Sequence, residues 1–385
     1  MLRNGAVGER EVTWRPSAGD DRRVVFYGEH TASVSLYLDG LPDDLAARVS
    51  VLPPRRLETD LPLLAAAGLV VFVRGFEHVW RSGLPGALER LGVPCAWFSD
   101  DDLTALRGDQ PGFGFYTQAR VQAFAARMVA LIGTTPALCV RLAALHSAVL
   151  HWPCVLDERL LAPASVCRDG LLRVACVGGA FRAEGLRRLV LPALDVLPGA
   201  RLLLADGLAG GIAAKIPDAR VLPFEPDFCR FVATWRAAAP DLLVHPPGRT
   251  ANLAVKGAGT LLAALYLGVA PVAADEPAYA GLGAAQGVLL AEDRVASWRA
   301  AFALLAEPDV RREHLTRLLA HFRAVASPEA ARGAVETLLA RAAPGGAAAE
   351  ARRAAALRLG WRPPLSLIWG ARLRRLARPF ASRSR

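Results

Sequence analysis

The stretch PDLLVHPPGRTANLAVKGAGTLLAALYLGVAPVAA, residues 240–274, holds one complete strand, loop, helix and strand unit. Asp241–Val244 is a short apolar run of strand type, and residues 245–252 form a loop of Pro, Gly and polar residues. A helix of small residues follows with Lys256 in its N-terminal region; Gly268 stops it, and Val269–Ala273 is the next strand. The uncharged run from Gly257 to Ala274 reaches 18 residues, nominally enough to enter the transmembrane range. Gly257, Gly259, Gly268 and Pro271 divide it instead into a buried helix and a buried strand. Strands that are apolar on both faces and joined by helices predict a parallel sheet covered on both sides.

The same rhythm extends in both directions. Before it lie strand-like runs at Val24–Tyr27, Val49–Leu52, Leu69–Val73, Cys95–Phe98, Met128–Ile132 and Val149–Trp152, with helix-length segments such as Arg81–Leu91 and Gln118–Ala130 between them. After the polar stretch Asp157–Gly170 the alternation restarts with Leu172–Val177, Arg201–Ala205, Arg220–Leu222 and the unit above, and ends at Val288–Leu290. Leu186, Leu189, Val190, Ala193, Leu194 and Leu197 make a sheet-facing helical stripe in which Pro192 predicts a kink or an early stop. A length of 385 residues accommodates two such domains. The expected fold is therefore α/β, with two Rossmann-like domains whose parallel sheets face a cleft. The division is an N-terminal extension (1–19), a first domain (20–165), a second domain (170–335) and C-terminal helices with a basic amphipathic tail (336–385). A cleft between two α/β domains is the expected ligand site.

Charge narrows the partners. Lys and Arg number 46 against 36 Asp and Glu, but residues 346–385 alone carry ten Arg and one Glu, so the body is close to neutral. A basic face for nucleic acid is not expected. The tail mixes Leu365, Ile368, Trp369 and Phe380 with Arg372, Arg374, Arg375 and Arg378, a pattern suited either to an anionic membrane surface or to packing back on the first domain. The six cysteines form no C-x-x-C pair and read as free thiols; MLRNGAVGEREV carries no apolar signal core. A cytoplasmic protein, peripheral on the inner membrane face through its tail, is the expectation.

Several residues have the chemistry of a ligand site. Val177-Gly-Gly-Ala-Phe-Arg-Ala-Glu-Gly185 follows a strand and opens a helix, so the amides around Gly178 and Gly179 could hold a phosphate and Arg182 could neutralise it, with a solvated surface arginine as the alternative. The spacing is not that of a dinucleotide fingerprint. Lys256 stands out because 44 of the 46 basic residues are Arg, so composition alone would favour Arg there; an incidental surface lysine, like Lys215, is the alternative. Asp100-Asp101-Asp102 reads as an N-cap and a solvated acidic loop rather than a metal motif. His78, after the strand ending near Val73, is a candidate acceptor-side catalytic residue, with a structural histidine as the alternative.

The order of these features resembles the donor-binding half of retaining GT-B glycosyltransferases of the family 4 type. There a loop Asn, a Lys, a helix ending A-A-x-x-G-x-P and a following P-x-Y recur; here the corresponding residues are Asn252, Lys256, the run to Gly268 and Pro271, and Asp275-Glu-Pro-Ala-Tyr279. Arg201–Gly207, Arg220–Asp227 and Pro240–Pro246 resemble further segments of that half, and Leu69–Arg74, Gly92–Asp102 and Trp152–Asp157 segments of the other half. The resemblance implies transfer of a sugar from a nucleotide-sugar donor to a cell-envelope glycan or lipid-linked acceptor, with retention and without a metal or other cofactor. Donor-binding residues would be Gly178, Gly179, Arg182, His245, Asn252 and Lys256. The sequence departs from the pattern where the family carries two carboxylates, with Ala263 and Val255 in their places, and has Glu184 near an expected Lys. An inactive GT-B binding or scaffold protein in glycan assembly is the alternative, and a GT-B epimerase a more distant one.

Overall fold

A computed structural model describes residues 23–76, 79–109, 113–165, 167, 170–209, 216 and 219–359. Twelve strands occur among them, all close to the predicted runs. The first six are β1 (Val24–Tyr27), β2 (Val49–Leu52), β3 (Leu69–Val73), β4 (Cys95–Ser99), β5 (Ala130–Gly133) and β6 (Val149–His151). The second six are β7 (Arg173–Cys176), β8 (Arg201–Ala205), β9 (Arg220–Leu222), β10 (Leu242–His245), β11 (Ala270–Ala274) and β12 (Leu289–Ala291). They form two sheets in the orders β2-β1-β3-β4-β5-β6 and β12-β11-β10-β7-β8-β9. Every pairing is parallel, as in Val24↔Leu69 and Leu242↔Val174.

Alternation along the strands explains both covered faces. In the first sheet Val25, Tyr27, Val70 and Phe72 enter one hydrophobic cluster, while Val24, Phe26, Leu69 and Val71 enter the cluster on the other side. The second sheet does the same with Ala175, Leu203 and Leu243 against Val174, Leu202, Leu204 and Val244. Each face is then closed by helices, because neither is polar enough to meet water.

The chain crosses back between two long helices. Pro308–Val325 buries Leu315, Leu318 and Phe322 against the second half, whereas Pro328–Arg341 buries Ala331, Val335 and Leu338 against the first sheet. Gly346–Leu359 then packs on Leu57–Ala66, where Arg352 donates to the carbonyls of Ala65 (3.0 Å) and Ala67 (3.1 Å). The amphipathic segment 365–380 lies outside the described residues. No helix among the described residues is long and apolar enough to cross a membrane.

Two local departures have physical causes. Pro192 does not stop its helix; the turn before it widens into a π-helical stretch, Leu186–Val190, in which the Leu191 amide reaches back to the Leu186 carbonyl. Widening accommodates a residue that lacks an amide hydrogen and crowds the preceding turn. Lys256 is not in the small-residue helix. Ala251–Val255 forms a separate 3-10 turn, Lys256 is extended, and the helix starts at Gly259. Gly257 and Gly259 weaken helix propagation at that point.

Candidate functional site

Because all strands in each sheet run the same way, loops at their carboxyl ends gather on one edge, and the two edges face each other across a cavity of about 330 Å³. The first half contributes Ser33, Leu36, Tyr37, Arg74, Asp100, Asp101 and Phe113; the second contributes Phe181, Arg182, His245, Asn252, Lys256 and Tyr279. Sequence pattern alone groups most of the second set. Arg74 follows a strand and so falls on the same edge, whereas the pattern carries no signal that joins Ser33, in a helix after β1, to the cavity.

The cavity is crossed by a charged strut. Asp101, 3% exposed, accepts from Asn252 Nδ2 at 2.5 Å and is ion-paired with both Lys256 and Arg74. Asn252 Oδ1 in turn accepts the Asp102 amide at 2.8 Å. Asp100 lies 3.1 Å from Arg74 Nε and 3.7 Å from Lys256 Nζ, and it accepts from Ser33 Oγ at 2.9 Å. Burial works to raise the Asp101 pKa, but the adjacent Lys256 and Arg74 outweigh it and hold the carboxyl down at about 2. Arg74 has a left-handed backbone, φ 54°, fixed by the Trp97 indole donating to its carbonyl at 2.7 Å. Such strain in a non-glycine residue persists only where surrounding contacts hold it.

Asp102 caps the following helix as its sequence predicts, accepting the Thr104 and Ala105 amides at 3.0 and 3.1 Å. Asp101 differs from the expected solvated loop because Asn252 and Lys256 of the opposing half, together with Arg74 of its own half, enclose it. The signal was present as three acids directly after a buried strand, but the partners from the other half, Asn252 and Lys256, lie about 150 residues away.

A second charged pair forms the wall of the other half. Gly178, at φ 135°, and Gly179 turn the chain after β7, and Arg182 folds back beneath them, 2% exposed. Its Nη1 and Nη2 meet Glu276 at 3.1 and 3.0 Å, Nη1 also donates to the Pro246 carbonyl, and Nε has no partner among the described residues. Glu276 accepts the Gly248 amide at 2.6 Å as well. His245 is buried at the end of β10 with Nδ1 against the Tyr279 hydroxyl. Burial, and then the positive charge of Arg182, lower the His245 pKa well below its ordinary value, so the ring is neutral near pH 7.

The two positions that depart from the carboxylate pattern have separate surroundings. Ala263 is buried in the helix Gly259–Leu267. Val255 belongs to the hydrophobic core of the first half, and its carbonyl accepts from Thr135 Oγ1 at 2.8 Å. A carboxylate at 255 would therefore enter an apolar core. His78 lies outside the described residues. Among the described residues no group of three or more His, Cys, Asp or Glu side chains is placed to hold a metal.

No family model matches this chain, and no curated protein matches it. Solved structures do. Anabaena Alr3699/HepE in complex with UDP-glucose is 11% identical, has a TM-score of 0.57, and is covered over 99% of its chain by 83% of this one. The same protein in complex with UDP gives a TM-score of 0.52 at 11% identity, with 82% of this chain and 99% of that chain covered. Acinetobacter baumannii MurG is 16% identical with a TM-score of 0.42, over 82% of this chain and 99% of that one. The two parallel six-stranded sheets and their flanking helices form the two Rossmann-like domains of the GT-B fold.

Proposed function

We propose that this protein transfers a sugar from a nucleotide-sugar, with UDP-sugars the first donors to test, to a cell-envelope glycan or lipid-linked acceptor. The carrying observation is the cavity between the carboxyl edges of the two sheets, where Arg182, at the Gly178–Gly179 turn, converges with His245 and Lys256. The shared fold with a protein crystallised with UDP-glucose supports the choice of donor. Departure of a nucleoside diphosphate from the sugar develops negative charge, and fixed cations stabilise it without reorganisation. Lys256 is one-third exposed, so its ammonium can exchange Asp101 for a diphosphate oxygen. Arg182 is held in place by Glu276 and contributes its field from the wall. Asn252 acts indirectly, because both ends of its amide are engaged with Asp101 and Asp102. In the retaining route the acceptor oxygen attacks the face from which the phosphate leaves, and that phosphate takes the acceptor proton. No protein base or metal is required.

A second reading is favoured by one observation. Arg74, Arg182 and Lys256, which all line the cavity, each already have a carboxylate partner. This arrangement suits a GT-B protein that binds a nucleotide-sugar and does not turn it over. Calorimetry against UDP-, GDP- and ADP-sugars, followed by a donor-consumption assay with glycan acceptors, separates the two. Binding with turnover supports the transferase, binding alone supports the binding protein, and binding of none of the donors removes both. Lys256→Ala should weaken donor binding about tenfold, the effect of losing a charge-assisted contact of about 1.5–3 kcal/mol partly offset by its existing ion pair. Peripheral attachment through residues 361–385 is part of the proposal, and deleting them should reduce sedimentation with anionic liposomes while leaving donor affinity unchanged.

A further inference from the structure

The amino edge of the second sheet, at the opposite end of its strands from the cleft, carries a cluster of arginines that the proposed donor site does not use. Arg173, Arg201 and Arg220 are the first residues of β7, β8 and β9. Arg173 is in register with Arg201, and Arg220 with Leu203. Neighbours in register on parallel strands point to the same face, and so do residues two apart on one strand. All three arginines therefore share the face that carries Ala175, Leu203 and Leu222.

They line a cavity of about 370 Å³ together with Leu202, Leu203 and Ala238. Arg173 leans on the buried carboxylate of Asp241, with Nη1 4.0 Å from Oδ2. Asp241 is further engaged by the Arg173 amide at 2.8 Å and by Ser165 Oγ at 3.1 Å. Among the described residues neither Arg201 nor Arg220 has a carboxylate partner. Like charges on neighbouring strands repel. The carboxyl end of the helix Phe228–Ala237, bordering the cavity at Ala238, offsets about half an elementary charge. Among the described residues, two guanidiniums thus remain under-neutralised above an apolar floor.

We infer that this cavity is a binding site for a phosphate-bearing anion, separate from the cleft. Guanidinium groups match phosphate oxygens in paired hydrogen bonds, and one multivalent anion between Arg201 and Arg220 relieves the repulsion that their placement creates. The apolar floor of Leu203 and Ala238 excludes water from one side and strengthens the contact.

The test is pyrophosphate binding by the full chain, read by calorimetry, beside flotation with phosphatidylcholine vesicles containing phosphatidic acid. Each is done with the parent protein and with Arg201→Ala/Arg220→Ala. A tenfold or greater loss of affinity in the double variant supports the site. Loss with pyrophosphate assigns a soluble phosphate, and loss with vesicles alone assigns a lipid headgroup. Equal binding by parent and variant in both arms, or no binding by the parent in either, overturns the inference. Both side chains are exposed, and removing like charges should leave thermal unfolding unchanged or raise its midpoint. If the double variant does not fold, Arg201→Gln alone should weaken binding at least threefold, and an unchanged affinity overturns the site.

Discussion

Asn252 and Asp101 meet across the cleft, 151 residues apart in the chain, through an amide donating to a carboxylate at 2.5 Å. The same Asn252 side chain accepts the Asp102 amide, so one buried residue of the second half satisfies two groups of the first. Asn252→Ala leaves both without that partner. The expected cost is about 1–3 kcal/mol, the desolvation penalty of a buried polar group left unpaired. Chemical denaturation followed by tryptophan fluorescence measures it, and a change below about 0.5 kcal/mol, the size of an ordinary surface substitution, would show that the strut does not contribute.

Asp101 makes this strut sensitive to acid. Its folded pKa is about 2, against about 3.9 for an unperturbed Asp. A depressed folded pKa stabilises the fold above the unfolded value, and that contribution is lost as pH falls through about 4 toward 2. The stability of the parent relative to Asp101→Asn should therefore shrink by about 2 kcal/mol between about pH 5 and pH 2. A difference that stays constant over that range would contradict the assignment.

Glu276 is the only carboxylate partner that the structure records for the buried guanidinium of Arg182 among the described residues. Glu276→Ala would strand that charge, at a cost of about 3–5 kcal/mol. Arg182→Met combined with Glu276→Leu should cost much less, since no isolated charge remains. A thermal unfolding series with the parent, the single variant and the double variant checks the order, which fails if the double variant is the least stable.

Gly268 ends the helix Gly259–Leu267 with φ 71°, and a methyl group there would run into the Pro163 carbonyl oxygen. The neighbouring Ser165 amide donates to the Gly268 carbonyl at 2.7 Å, so the segment joining the two halves is docked on this turn. Gly268→Ala should destabilise the protein by about 1–3 kcal/mol from backbone strain, with the steric contact adding to it. Faster proteolysis within residues 158–170 should accompany the loss; an unchanged cleavage rate would separate the turn from the linker.

The twelve strands were legible because each is a short apolar run bounded by turn residues, and in a parallel sheet covered on both faces burial selects such runs directly. Sequence also brought Arg182, His245, Asn252 and Lys256 to the loops after strands, hence to the cleft, with Gly178 and Gly179 at the turn that carries Arg182. It placed Lys256 in a helix that starts only at Gly259, after Gly257 and Gly259 interrupt propagation and while Val255 packs in the core of the first half.

What local sequence decided, then, is the alternation of strands and helices, the two-domain division and the edge on which the loops gather, all consequences of hydrophobic pattern and chain direction. The partners of the polar groups were decided only in three dimensions. Asp101 with Lys256 and Asn252, Arg182 with Glu276, and Arg201 beside Arg220 are each set by how sheets and loops pack. Electrostatic and hydrogen-bond energies depend on distances of a few ångströms and on burial, which separation along the chain does not encode.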